Sequence, residues 1–195
     1  MSTTTRWTSR DLESLPDDGT RYEIIDGELY MSKQPHFYHQ DVSELQGELW
    51  NWNRISNLGR VVGAPGLIFA EDDDVAPDLV WISNDRLIAS LKPDGKVHDA
   101  PELVIEVLSP GSVNEQRDRK TKLKLYSRRG VSEYWIVSWQ KRTIDVYRRD
   151  GAELKLVETL GESHALQSPL LPGFSCPVSP IFARIPAGEQ GEPQV

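Results

Sequence analysis

Glu106 sits inside Leu103-Val104-Ile105-Glu106-Val107-Leu108, a carboxylate in a strand-length block of aliphatic residues. A charge placed there is costly unless something answers it. A second carboxylate, Asp78, follows Pro77 and opens the apolar run from Leu79 to Ile82. Farther on, Asp118, Lys122 and Tyr126 recur every four residues, a spacing that lines them up along one helix face. Two strand-borne carboxylates and a nearby lysine suit metal-assisted hydrolysis of a phosphodiester. That reaction needs a metal to neutralise charge on the phosphate, a water made nucleophilic, and a cation to position or polarise it. Mg²⁺ prefers one or two carboxylates plus waters and substrate oxygens. Asp78 and Glu106 are the expected ligands, with Mn²⁺ as an alternative ion. Each residue also has an ordinary reading. Asp78 could simply begin a strand, and Asp118 and Lys122 could form a surface pair worth about 0.3–0.5 kcal/mol. The functional reading rests on the three being taken together.

The elements that must position these groups can be read in order. Ser9 to Ser14 suggests a short helix ended at Leu15-Pro16. Asp26-Gly27, between Arg21–Ile25 and the run after it, signals a two-residue hairpin that needs positive φ at both turn positions. Glu23 lies in its first arm. His39 to Asn57 reads as a helix, with Val42, Leu45, Leu49 and Trp52 on one stripe. His36 and His39 are three apart, but no carboxylate or cysteine completes a metal pattern, so a capping or structural role is expected. Arg60 to Ala70 reads as a broken strand or two short ones, and Glu71 to Asp74 as a solvated turn from which one acid could reach a metal. Val75 to Ser83 is a strand, and Asn84 to Leu91 a short helix. Pro101 to Leu108 is apolar on both faces and so central in its sheet. A helix follows over about 114–129, with Gly130 as its left-handed cap. A hairpin spans residues 131–149, then a short strand over 154–159. The proline-rich but apolar segment from Gln167 should pack along the core. The predicted fold is a mixed α/β (α+β) domain, a central, mostly antiparallel sheet flanked by helices. It spans residues 1–185, with a disordered tail over 186–195.

Composition sets outer bounds. The chain has 195 residues, long enough for one domain with a real core. No apolar run approaches the roughly 20 residues of a membrane helix, and the N-terminus lacks a secretory h-region. A cytoplasmic protein without membrane contact is expected. The single cysteine, Cys176, excludes an internal disulfide. A net charge of −8 argues against a general nucleic-acid coat. The charge is unevenly spread, however. Arg117, Arg119, Lys120, Lys122, Lys124, Arg128 and Arg129 crowd a stretch whose one acid is Asp118. Such a run is either a solvated helix face or a strip for a phosphate backbone. Arg117, Arg119 and Lys124 are its phosphate-binding candidates.

Several of these motifs occur together in a known family. YEIIDGEL, a following helix with His39, APDLVWIS, PELVIEVLSP, the D-x-x-x-K-x-x-x-Y of Asp118, Lys122 and Tyr126, and GVSEYWIV together resemble the Uma-two family. These are restriction-endonuclease-like proteins of the PD-(D/E)xK nuclease superfamily. The resemblance covers residues 20 to 183, and its linked pair EVLSP and GVSEYWIV is specific. It implies an αβββαβ nuclease core in which Glu23 is the N-terminal acid, Asp78 the Pro-Asp metal ligand and Glu106 the acid of the (D/E)xK element. Leu108 stands where that element normally has lysine. The resemblance moves the role to Lys122 on the helix, with Lys120 as local competitor. His39, Tyr126 and Lys120 become auxiliary candidates. Ser138 replaces an acid the family often carries after the YWIV strand.

The implied activity is Mg²⁺-dependent endonucleolytic cleavage of DNA. Asp78, Glu106 and the Val107 carbonyl would hold the ion, Lys122 would orient or activate the water, and Glu23 would assist. A homodimer would pair two sites for double-strand cutting. The alternative is a catalytically inactive nuclease-fold module that binds nucleic acid or a partner. A metal-independent hydrolase is disfavoured by the lack of a G-x-S-x-G elbow and of a base near Cys176.

Overall fold

The computed structural model describes residues 6–32, 42–108 and 117–183; the side chains of Val42, Arg117 and Asp118 are not part of that description. His36, His39, the start of the helix expected from 114 and the tail expected over 186–195 lie outside the described residues.

A short helix, α1 (Ser9–Leu12), leads into the hairpin β1 (Arg21–Ile25) and β2 (Glu28–Ser32). Asp26 and Gly27 have φ of 56° and 75°, the mirror-image turn that the Asp-Gly pair calls for. Next come α2 (Val42–Ser56), β3 (Gly59–Gly63), β4 (Leu67–Ala70), β5 (Asp73–Val75), β6 (Leu79–Ser83), α3 (Asn84–Ser90) and β7 (Leu103–Val107). A π-helical turn, Arg117–Lys122, runs into α4 (Leu123–Arg129), which Gly130 ends at φ 91°. The chain closes with β8 (Glu133–Ser138), β9 (Thr143–Asp150), β10 (Glu153–Leu160), β11 (Ala165–Leu166), β12 (Cys176–Pro177) and α5 (Val178–Phe182).

The main sheet has the order β10-β9-β8-β7-β6-β3. All its neighbours pair antiparallel except β7 and β8, which run parallel. Parallel neighbours require a crossover, and α4 belongs to it. The helix therefore returns across the sheet face just after β7 has delivered Glu106. All five residues of β7 are buried, as a central strand requires.

Each face of the sheet has its own core. Leu79, Trp81, Leu103, Ile105, Val107 and Trp135 pack on one side with Leu45 and Leu49 of α2. The proline-rich segment joins them through Leu171, Phe174, Cys176, Val178 and Phe182. Burial pushes the Cys176 thiol up to about 12, with Glu48 adding to the shift. Cys176 is thus a core residue rather than a nucleophile. On the opposite face, Val80, Val104 and Leu108 pack with Leu125 and Tyr126 of α4 and with Ile25, Leu67 and Val75. The last three come from a second sheet, ordered β2-β1-β5-β4. Alternation along β7 puts Glu106 on this second face.

Three expectations need correction. The acidic run 71–74 is not a solvated turn throughout. Asp73 and Asp74 form part of β5 and are buried. Arg128 and Arg129 answer Asp73, and Lys96 answers Asp74 at 3.0 Å. The run Val75 to Ser83 is divided between β5 and β6, which belong to different sheets. The helix preceding Gly130 is π-helical through Lys122 before it becomes α.

Candidate active site

β6 and β7 pair with Leu79 opposite Ile105 and Val80 opposite Val104. Continued by one residue, this register sets Asp78 across from Glu106. Cross-strand partners of this kind have Cβ atoms about 4.5–5.5 Å apart, and like charges there repel. The arrangement persists because other groups answer both acids. The backbone N–H of Val107 donates to Asp78 Oδ2 at 2.8 Å, tying that carboxylate to the strand that carries Glu106.

Lys122 reaches Glu106 from the crossover. Its Nζ lies 2.8 Å from Glu106 Oε1 and 3.1 Å from Glu23 Oε1. Tyr126, one turn along, donates its hydroxyl to the same Glu106 oxygen at 2.8 Å. Glu23 arrives from β1, and its Oε1 also accepts from the Ala76 N–H at 3.0 Å. The side chains of Lys122 and Glu23 are each 2% exposed. Burying such charges costs several kcal/mol per ion, so each depends on its partners. Burial, with Glu106 as the next cause, holds the Tyr126 phenol well above its ordinary value. It stays a hydrogen-bond donor at neutral pH.

Arg21 was not singled out by sequence. Its Nη1 donates to Asp78 Oδ1 at 2.9 Å and to the Ala76 carbonyl at 3.3 Å. Burial disfavours its charge, but Asp78, Glu106 and Glu23 together outweigh this, so its affinity for a proton rises. Its side chain is 26% exposed against 7% for Asp78, which places it at the solvent side of the group. One signal in the sequence pointed to it: Arg21 is two residues from Glu23, hence on the same face of β1.

The structure therefore brings together Glu23, Asp78, Glu106, Lys122 and Tyr126, with Arg21 added. Lys120, the competitor of Lys122, is exposed, and so is Lys124. Arg119, a phosphate-binding candidate, pairs with Asp145 at 2.5 Å. Arg128 and Arg129 are engaged with Asp73. Ser138 is buried, and its hydroxyl accepts from the Lys141 N–H at 3.3 Å. His39 and the Arg117 side chain lie outside the described residues.

The profile of the Uma2 family, described as "Putative restriction endonuclease", matches residues 9–179. The chain belongs to the Uma2 family. Among solved structures, this Uma2 chain is similar to "a putative nuclease belonging to DUF820" from Anabaena variabilis, with a TM-score of 0.72 and 18% identity. That match covers 90% of this chain and 97% of the other, and it shows a shared fold. A second similarity, to the type IIG restriction endonuclease BpuSI, has a TM-score of 0.40 and 16% identity over 75% of this chain and 15% of that one. No curated protein sequence matches the chain.

The donor set can be tested against a metal on chemistry alone. Among the described residues, no group of three or more His, Cys, Asp or Glu side chains forms a metal cage. What converges is a pair of carboxylates on opposed strand positions. Oxygen-only ligation by one or two carboxylates, completed by water and substrate, is the demand of Mg²⁺ rather than of zinc. The residues fit such an ion. Among the described residues, no helix is long and apolar enough to cross a membrane.

Proposed function

We propose that this Uma2 protein is a Mg²⁺-dependent endonuclease that hydrolyses phosphodiester bonds of DNA. The observation that carries the reading is the meeting of Glu106 with Lys122 and Tyr126 on one side and with Asp78 on the adjoining strand. Nothing in core packing calls for a buried lysine between two glutamates, and such groups are costly unless they serve a site.

Asp78 and Glu106, with the Val107 carbonyl, are the groups that would hold the ion. The bound ion supplies charge neutralisation at the phosphate and a more acidic water. The protein supplies the rest. Lys122, fixed by two carboxylates, presents a compact cationic donor that orients the attacking water. Glu23 fixes Lys122 together with Glu106. Tyr126 holds the Glu106 carboxylate in place beside Lys122. Access is from the side of Asp78 and Arg21, the more exposed members of the group. Lys120 and Lys124 are exposed cations on the crossover that can meet a phosphate backbone. Double-strand cutting would require two such sites, which a homodimer provides.

The test is cleavage of supercoiled plasmid DNA by purified protein in Mg²⁺, Mn²⁺ or EDTA. Wild type nicks or linearises the plasmid only with the metal, and Asp78→Asn and Glu106→Gln do not. Equal cleavage by Glu106→Gln and wild type would overturn the assignment.

A further inference from the structure

Arg21 is the least expected member of the site. Four facts define it. It makes a direct ion pair with Asp78, at 2.9 Å. The same Nη1 also donates to the Ala76 carbonyl at 3.3 Å, a partner it keeps if it leaves Asp78. It is the solvent-side cation of the group, whereas Lys122 is sealed in. It is carried by the hairpin sheet, while Asp78 and Glu106 are opposed through the main sheet.

Arg21 and a divalent ion therefore compete for one carboxylate. A guanidinium and Mg²⁺ both want Asp78 Oδ1, and two cations held at contact distance repel strongly in a partly buried site. We propose that Arg21 is an exchangeable counter-ion: it holds Asp78 in place in the metal-free protein and gives the carboxylate up when the divalent ion binds. Resting on the metal-site reading above, this adds a residue that sets how tightly the ion is held. Arg21 adds a charged partner to the Val107 N–H that Asp78 already accepts, beside the like charge of Glu106. With it, the metal-free fold is stable, and metal binding starts from an aligned ligand at the cost of displacing one cation.

A purely structural Arg21 makes the opposite prediction, so the sign of one measurement separates the two. Mn²⁺ binding is titrated calorimetrically, without DNA, on wild type, Arg21→Gln, Arg21→Lys and Asp78→Asn. Glutamine keeps a side-chain N–H donor for Asp78 and drops the charge, and thermal melting confirms that each variant folds. The expected result is that Arg21→Gln binds Mn²⁺ about tenfold more tightly than wild type. Arg21→Lys stays near wild type, and Asp78→Asn binds none. Unchanged or weaker binding by a folded Arg21→Gln, with binding still lost in Asp78→Asn, overturns the exchange and leaves the metal site standing. Absence of Mn²⁺ binding in wild type and Arg21→Gln alike overturns the metal-site reading and the exchange with it.

Discussion

Asp73 and Glu106 are both buried carboxylates answered by cations from the same stretch of chain, residues 117–129. Their partners differ in kind. Asp73 is gripped by arginine forks. Arg128 Nη2 donates to both of its oxygens at 2.7 and 2.8 Å, and Arg129 adds Nε at 2.9 Å and a short Nη2 contact. Arg128 also pairs with Asp26 at 2.5 Å, so two acids meet two arginines. Glu106 is met by single-point donors, an ammonium and a phenol on one oxygen. Around it, Lys122 bridges Glu106 and Glu23, and Arg21 pairs with Asp78. Forked, charge-matched pairing fastens the hairpin sheet to α4. Point-donor pairing gathers several carboxylates around one ammonium without forking onto any of them. Charge density alone does not separate a lock from a candidate site; the type of donor does.

Four experiments can break or sharpen this contrast. The largest effect is expected at the lock. Asp73→Asn removes the negative charge that Arg128 and Arg129 share, with Arg128 keeping Asp26, and should cost about 3 kcal/mol of stability, read by urea denaturation. Its cleavage rate per folded molecule should stay at the wild-type value. Asp78→Asn should do the reverse, losing about a hundredfold or more in cleavage rate. If Asp73→Asn lowers the rate as far as Asp78→Asn does, the division into lock and site is wrong.

Metal should discriminate as well. Saturating Mg²⁺ at about a hundred times its Kd should stabilise wild type and Asp73→Asn by about 2.7 kcal/mol each. It should leave Asp78→Asn unshifted in a thermal melt. The smallest effect is at Tyr126. Tyr126→Phe removes one hydrogen bond to a charged group, worth about 1.5 kcal/mol or more. The Tyr126 phenol is raised above its ordinary 10.0 in the folded protein. The unfolded chain therefore releases this proton first as pH climbs, and folding stability falls from about pH 10 upward. Below that pH the contribution is complete. Tyr126→Phe should flatten that part of the alkaline stability curve. A curve of unchanged slope would show that Tyr126 does not titrate as the site geometry requires.

The cluster around Glu106 was more legible in the sequence than the lock. Glu106 stood out because a charge within Leu103–Leu108 contradicts its surroundings, and the neighbouring strand drew attention to Asp78. Lys122 and Tyr126 were visible through a four-residue spacing, even though the chain is π-helical up to Lys122. Both side chains still reach Glu106, since the crossover carries them back over β7. The Asp26-Gly27 turn was readable because its backbone demand is local. Asp73 was misread because its partners, Arg128 and Arg129, lie more than fifty residues away. Local sequence shows four acids in a row and so suggests a solvated turn. Arg21 was missed for the same reason. An arginine at the start of a strand is ordinary until the hairpin sheet brings it against Asp78.

The central claim is that Asp78 and Glu106 jointly hold a divalent ion beside Lys122. A crystal of the protein soaked in Mn²⁺, with data collected for anomalous scattering, tests it most directly. An anomalous peak beside the Asp78 and Glu106 carboxylates is expected, with the Arg21 guanidinium moved off Asp78. A protein that cleaves DNA in Mn²⁺ yet shows no peak beside those two carboxylates would contradict it.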